Sequence, residues 1–185
     1  MRIDLFSDKI NLKGHIRITD FDTKKIIVDT DNHIVISGRR WLMQRMFNMP
    51  ITQDSNAHTW LPGWFGIGSG GASVDAPFIP IWPTDDDTSL FYPEEFSQEG
   101  AQYSATNHLY KMVDSISFPN DLTAKLTMTL DYQDMVDKYI NEAGMFVGEV
   151  LEYTNENFLM FSHVTFPTFP KSIYQKLTLE WFFMF

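Results

Sequence analysis

The sequence predicts a mainly β protein, an antiparallel β-sandwich with one short α-helix and a long Pro-rich loop. Three observations carry that prediction. Several stretches alternate apolar and polar residues with the period of a half-buried strand, most clearly residues 122–132 and 174–185. Helical spacing behind a capping residue is read at one place, after Ser37. Pro77, Pro80, Pro83 and Pro93 are spaced so that no helix crosses residues 70–100.

In chain order, residues 1–12 mix Asp and Lys with Ile and Leu in no clean period and read as an N-terminal arm that orders on a neighbour. Ile16 and Ile18 then alternate with His15, Arg17 and Thr19, residues 20–23 supply a turn, and residues 24–30 return as the second strand of a hairpin. Ser37 is the expected N-cap of a helix from Gly38 to about Asn48, with Trp41, Leu42, Met46 and the stem of Arg45 inward, ended by Pro50. Residues 70–100 read as an extended surface loop pinned by Phe78, Ile81 and Trp82, and a loop of that length points to binding. A strand over 103–118 breaks near Asp114. The next, over 122–132, turns Leu122, Ala124, Leu126, Met128, Leu130 and Tyr132 to the core. After residues 157–166 a Pro-bounded turn leads to the closing strand. There Leu177, Leu179, Trp181, Phe183 and Phe185 form the inner face. The outer face changes from Thr178 and Glu180 to Phe182 and Met184, which suggests cover by another element or chain.

A chain of 185 residues makes one ordinary domain, here taken as 1–185. Its 24 acidic against 14 basic residues leave a net charge of −10, which disfavours nucleic-acid binding. The absence of cysteine removes disulfides and thiolate chemistry. No window approaches 18 apolar residues, and Asp4 and Asp8 interrupt any signal-like start, so neither a membrane span nor export is expected.

No catalytic, cofactor or metal set is predicted. Gly66-x-Gly68-x-x-Gly71 matches a dinucleotide fingerprint in letters, but the residues after it cannot form the helix that such a site needs. Asp85, Asp86 and Asp87 have oxygens for calcium without the EF-hand pattern, so a solvated turn or cap is expected. His15, His33, His58, His108 and His163 are scattered, with no zinc-ligand spacing on a helix. Glu142 has no assigned partner carboxylate for glycosidase chemistry.

Ile140-Asn-Glu-Ala-Gly-Met-Phe, Leu159-Met-Phe-Ser-His-Val-Thr-Phe-Pro and the closing Leu-Thr-Leu-Glu-Trp resemble the ending of a family of bacteriophage tail, baseplate and fibre-attachment proteins. That ending reads roughly I-x-E-A-G-L-F, L-x-A-R-x-x-F-P-P and L-x-V-x-W. Ser162-His163 stands where the family often has Ala-Arg, and the second Pro is displaced to Pro170. Asn32-His-Ile-Val-Ile-Ser-Gly-Arg-Arg-Trp-Leu resembles its H-N-x-I-V-x-x-G-R-x-x-L stretch, after a strand and an Asp-Asn turn. Phe65-Gly-Ile-Gly-Ser-Gly-Gly-Ala and Asp87-Thr-Ser-Leu match its I-A-V-G-x-G-x-x-A and D-T-x-L, which reads as a strand ending in glycines that allow positive φ. The resemblance implies a virion protein assembled in the host cytoplasm, present as a homo-oligomer or multi-copy ring, binding other virion proteins and neither nucleic acid nor membrane. It also implies a strand or turn pinned by Glu142. The expected contact residues are Phe78, Ile81, Trp82, Phe91, Tyr92, Phe182 and Met184. The alternative is a carbohydrate- or receptor-binding β-sandwich of a phage fibre, in which Trp60, Trp64, Trp82, Phe91 and Tyr92 stack on sugars.

Overall fold

A computed structural model of the chain describes residues 12–46, 61–73, 79–91, 97–99, 102–104, 107–148 and 158–185. Among them are the strands β1 (Lys13–Asp20), β2 (Ile26–Ile34), β3 (Leu61–Gly68), β4 (Ser97–Glu99), β5 (Gln102–Ser104) and β6 (His108–Met112). β7 (Ser115–Asn120), β8 (Thr123–Leu130), β9 (Lys138–Gly148), β10 (Phe158–Lys171) and β11 (Leu177–Met184) follow, with one helix, α1 (Ile36–Met46), after β2. The chain is thus mainly β with one helix, as expected. Its strands form one antiparallel order, β4-β5-β6-β3-β9-β10-β2-β1-β11-β8-β7. Four strands separate β3 from β11 in that order, yet Phe65 meets Trp181 with ring centroids 5.5 Å apart. Phe161 of β10 likewise meets Phe183 of β11 at 4.9 Å. The sheet must therefore curl until its halves face each other across one core. The expected sandwich resolves into a single curled sheet.

β2 makes the curl continuous. It pairs with β1 up to Asn32 and with β10 at His33 and Ile34, so the expected turn at Asp31-Asn32 is instead unbroken strand passing from one half to the other. Asn32 has a second task, accepting a hydrogen bond from Trp181 Nε1–H once its amide oxygen faces the indole. β10 also overrides an expected turn. It runs through Pro167 and Pro170 as one 14-residue strand, with a register shift between Thr165 and Phe169 that accommodates them.

The helix begins earlier than its sequence signal. Ser37 lies inside α1 and donates its hydroxyl to the Met160 carbonyl at 2.6 Å, so it ties the helix to β10 and is not the cap. Arg39 N–H closes the first turn on the Val35 carbonyl at 3.1 Å. Trp41 is buried and the Arg45 guanidinium lies over its ring, whereas Met46 is exposed. Gly38 lets the helix touch the sheet, because a Cβ there would overlap the Phe161 carbonyl. In β8, Leu126, Met128 and Leu130 are core as expected, but Leu122 and Tyr132 lie beyond its ends and are exposed. In β11, Leu177, Leu179, Trp181 and Phe183 are buried, whereas Phe185 lies beyond its end and is exposed. No helix among the described residues is long and apolar enough to cross a membrane.

Candidate functional site

β9 runs through the centre of one half of the sheet and is buried from Ile140 onward. Its neighbours are β3 and β10, and Glu142 and Phe146 lie on the face turned away from Ala143, Met145 and Val147, where the 79–91 segment covers them and shuts out water. An ionisable group placed there must find partners in the protein. Glu142, fully buried, finds four. Its carboxylate accepts from His108 Nε2 at 3.1 Å, His163 Nε2 at 3.2 Å, Gly70 N–H at 3.0 Å and Phe91 N–H at 2.9 Å. His163 turns its other nitrogen, Nδ1, to Asp87 Oδ2 at 2.6 Å. Asp87 in turn accepts from Thr84 N–H at 3.1 Å and Thr84 Oγ1 at 2.7 Å.

Both ring nitrogens of His163 face carboxylate oxygens, which only accept, so both carry protons and the ring is an imidazolium. Desolvation by burial opposes that charge, but the hydrogen bonds and charges of Asp87 and Glu142 outweigh it and hold His163 above the ordinary imidazole value. Glu142 is pushed up by burial, and more strongly down by His108, His163 and Phe91 N–H, so it stays below the usual carboxylate range. Asp87 is lowered likewise, its burial outweighed by His163 and Thr84. A doubly bonded imidazolium has no lone pair to act as general base. What this arrangement can do is hold parts of the chain together.

The part held is the segment 79–91. Gly71 N–H donates to Asn141 Oδ1 at 2.7 Å, Ile81 N–H to the Gly71 carbonyl at 2.8 Å, and Thr165 Oγ1 to the Ile81 carbonyl at 2.7 Å. Asp85 accepts from His33 Nε2 at 2.8 Å and pairs with Arg39 at 3.1 Å, while its carbonyl receives Ile36 N–H at 2.8 Å. One stretch thereby fastens β2, α1, β9 and β10.

The glycine-rich run has a different purpose from the one its letters suggest. Gly66, Gly68 and Gly71 do not adopt positive φ. Gly68 is required because a Cβ would overlap the Glu142 carboxylate, and the N–H groups of Gly70 and Gly71 receive the chain's own Glu142 and Asn141. Donors that a nucleotide would need are already engaged.

The expected contact residues separate on the structure. Trp82 is 84% exposed, so it points out of the loop and does not pin it. Ile81 is half-buried and held through its backbone. Phe91 is half-buried with its ring 4.9 Å from His163, and Trp64 is buried, so Trp64 presents no face to a sugar. Phe182 and Met184 are half-buried on the outer face of β11, with Phe182 beside His15 at 6.2 Å. Phe78, Tyr92, Trp60 and His58 lie outside the described residues, as do 1–11 of the expected arm. Asp85 and Asp87 make a turn, as expected, but one closed on histidines. Among the described residues no three acidic, histidine or cysteine side chains converge as a metal set.

In the sequence Glu142, His163 and Asp87 stand singly, and nothing in their spacing joins them to His108. The available signal was an ionisable residue within a mostly apolar strand, which requires a partner once that face of the strand is covered. A second histidine is treated the same way at the surface, where His15 sits between Asp29 at 2.6 Å and Asp31 at 2.9 Å. Comparison with family models, with curated proteins and with solved structures finds no match to this chain.

Proposed function

We propose that the chain is a structural protein of a bacteriophage virion, of the tail, baseplate or fibre-attachment apparatus, joining neighbouring virion proteins in a symmetric, multi-copy assembly. One observation supports this above the others. The sequence blocks that carry the resemblance lie far apart in the chain. Yet Gly70, Asp87, Glu142 and His163, one from each of four blocks, meet in a single buried network. Blocks that build one fold-defining knot belong together, whereas a chance likeness has no reason to converge in space. With those polar groups turned inward, the working part is the outer surface, where Ile79 and Trp82 are exposed and Phe182 and Met184 half-exposed. The test is the protein content of purified particles. A fixed copy number, with density for the curled sheet in the tail or baseplate, supports the reading. A chain abundant in infected cells and absent from purified particles ends it.

The exposure of Trp82 keeps a second reading in view, a carbohydrate- or receptor-binding surface on a phage fibre. Glycan-array binding by the isolated protein that Trp82→Ala abolishes would favour it over the first.

A further inference from the structure

A surface helix ordinarily turns its apolar stripe inward and its polar side chains outward. The outward face of α1 departs from that pattern. The helix rests on β10 with Gly38 and Trp41 inward and the Arg45 guanidinium folded over the Trp41 ring. Its other face carries Ile36, Arg39, Arg40, Met43 and Met46, all exposed. Ile36, Arg40 and Met43 follow at i, i+4 and i+7, as do Arg39, Met43 and Met46, so two rows meet at Met43. Ile36, Met43 and Met46 are 43%, 60% and 57% exposed, which leaves the apolar part of both rows uncovered. The 79–91 segment adjoins this face at the start of the helix. Asp85 receives Ile36 N–H on its carbonyl at 2.8 Å and pairs with Arg39 at 3.1 Å. Trp82 lies three residues earlier, within ~11 Å of that anchor.

The charge of α1 is opposite to that of its surroundings. The helix has three arginines and no acidic residue in a chain of net charge −10, which leaves −13 on everything else. Asp85 meets Arg39, whereas Arg40 forms no ion pair among the described residues. We propose that this face docks an acidic amphipathic helix of another protein. Its apolar stripe would lie on Ile36, Met43 and Met46, its flanking carboxylates would meet Arg40, and Trp82 would close over one end. At 11 residues α1 is about 16 Å long, and its i, i+4, i+7 rows are ridges on which a second helix packs. Methionine adapts its shape to a partner, and an exposed tryptophan whose segment is fastened through Asp85 and Asp87 supplies a fixed anchor.

An anionic membrane also attracts a basic face with apolar side chains. Its charge extends over a wide plane, however, and would meet the acidic remainder of the chain as well as α1. The same repulsion applies to nucleic acid. A single acidic helix touches the arginines alone and leaves the acidic remainder in water, so the charge distribution selects a protein segment. This goes beyond the virion reading and does not rest on it, since the chemistry of the face is the same whatever assembly holds the partner.

Calorimetric titration of the full chain tests it, with amide chemical shifts to locate the contact. The probe is a synthetic helix of about 18 residues, with leucines at i, i+3, i+4 and i+7 and glutamates between them. The same helix with lysines for glutamates, and phosphatidylserine vesicles, are the comparisons. The glutamate helix should bind and shift the resonances of α1 and Trp82, and the lysine helix and the vesicles should not bind. Arg40→Glu and Met43→Asp should each weaken binding about fivefold or more, and Arg40→Glu should turn the preference towards the lysine helix. Trp82→Ala should weaken it about tenfold. All three residues are exposed, so their replacement does not threaten the core. A glutamate helix that does not bind, that shifts resonances away from α1, or that binds the Arg40 and Met43 variants unchanged would overturn the proposal. Preferential binding of the vesicles would overturn it too and assign the face to a membrane. A particle component that fails to bind the helix would overturn this inference alone, whereas a binding chain absent from particles would overturn only the virion reading.

Discussion

At Glu142 one buried carboxylate gathers hydrogen bonds from β6, from β10, from the loop after β3 and from Phe91. Glu142→Gln keeps the shape and removes the charge. It leaves the His163 imidazolium with a single anionic partner and turns an amide nitrogen towards groups that donate. Breaking a buried pair in this way should cost about 3–5 kcal/mol, read by urea denaturation, and a loss below about 1 kcal/mol would contradict the ionic account. The network also sets a pH profile. His163 is held above 6.5, so its contribution is complete below that pH and is lost as pH rises through the folded value. Glu142 and Asp87 are held below 4.5 and 3.8, so theirs is complete above those values and is lost as pH falls through the folded ones. Stability should therefore be level between 4.5 and 6.5 and decline on both sides. His163→Gln should remove the larger part of the alkaline decline, the remainder belonging to the more exposed His15, and a variant retaining it in full would assign that decline to another group. The sequence shows that Glu142 needs a partner, and not which residues supply it. The spacing between residues 87, 108, 142 and 163 has no local period, and their meeting is decided by strand order.

Elements divide into those whose own pattern settles them and those settled by a neighbour. β8 and β11 belong to the first kind, since strict alternation over a half-buried face specifies register and inward residues together. Trp181→Ala should cost about 3–5 kcal/mol by chemical denaturation, having a buried ring packed on Phe65. Phe182→Ser, one residue along on the outer face, should cost about 1 kcal/mol or less. Equal losses would place Phe182 in the core and remove it as a contact residue. β2 and β10 belong to the second kind. Asp31-Asn32 and Pro167 carry turn chemistry, but pairing of Asp31 and Asn32 with β1, of His33 and Ile34 with β10, and of Thr165 and Phe169 on either side of Pro167 with β9 keeps both strands running. The helix start departs from its sequence signal for a similar reason, because the Ser37 hydroxyl donates to the Met160 carbonyl and does not cap. Residues 70–100 read as a loop pinned by Phe78, Ile81 and Trp82, whereas its 79–91 part is pinned by Asp85, Asp87, its own backbone and Leu90, which is buried in one cluster with Trp64, Tyr110 and Phe146. Trp82→Ala should therefore change stability by no more than about 0.5 kcal/mol, while any surface function of the loop suffers.

At the scale of the molecule, the curl converts sequence-distant strands into one core and leaves β4 and β7 as its edges among the described residues. Composition and alternation were sufficient for the mainly β class, because they report how much surface is buried and with which period. They do not report how far a sheet closes on itself, which depends on the partner switch in β2. The 79–91 segment lies over one half of the sheet as a strap, with its polar fastenings beneath it. The most direct test of that arrangement is amide hydrogen exchange in the wild-type chain and in Glu142→Gln. The amides of Gly70, Gly71 and Phe91 should be protected in the wild type. In the variant they should lose protection together and by far more than those of β8 and β11. Loop amides that already exchange freely in the wild type, or that keep their protection without the carboxylate, would contradict the claim that this network holds the strap in place.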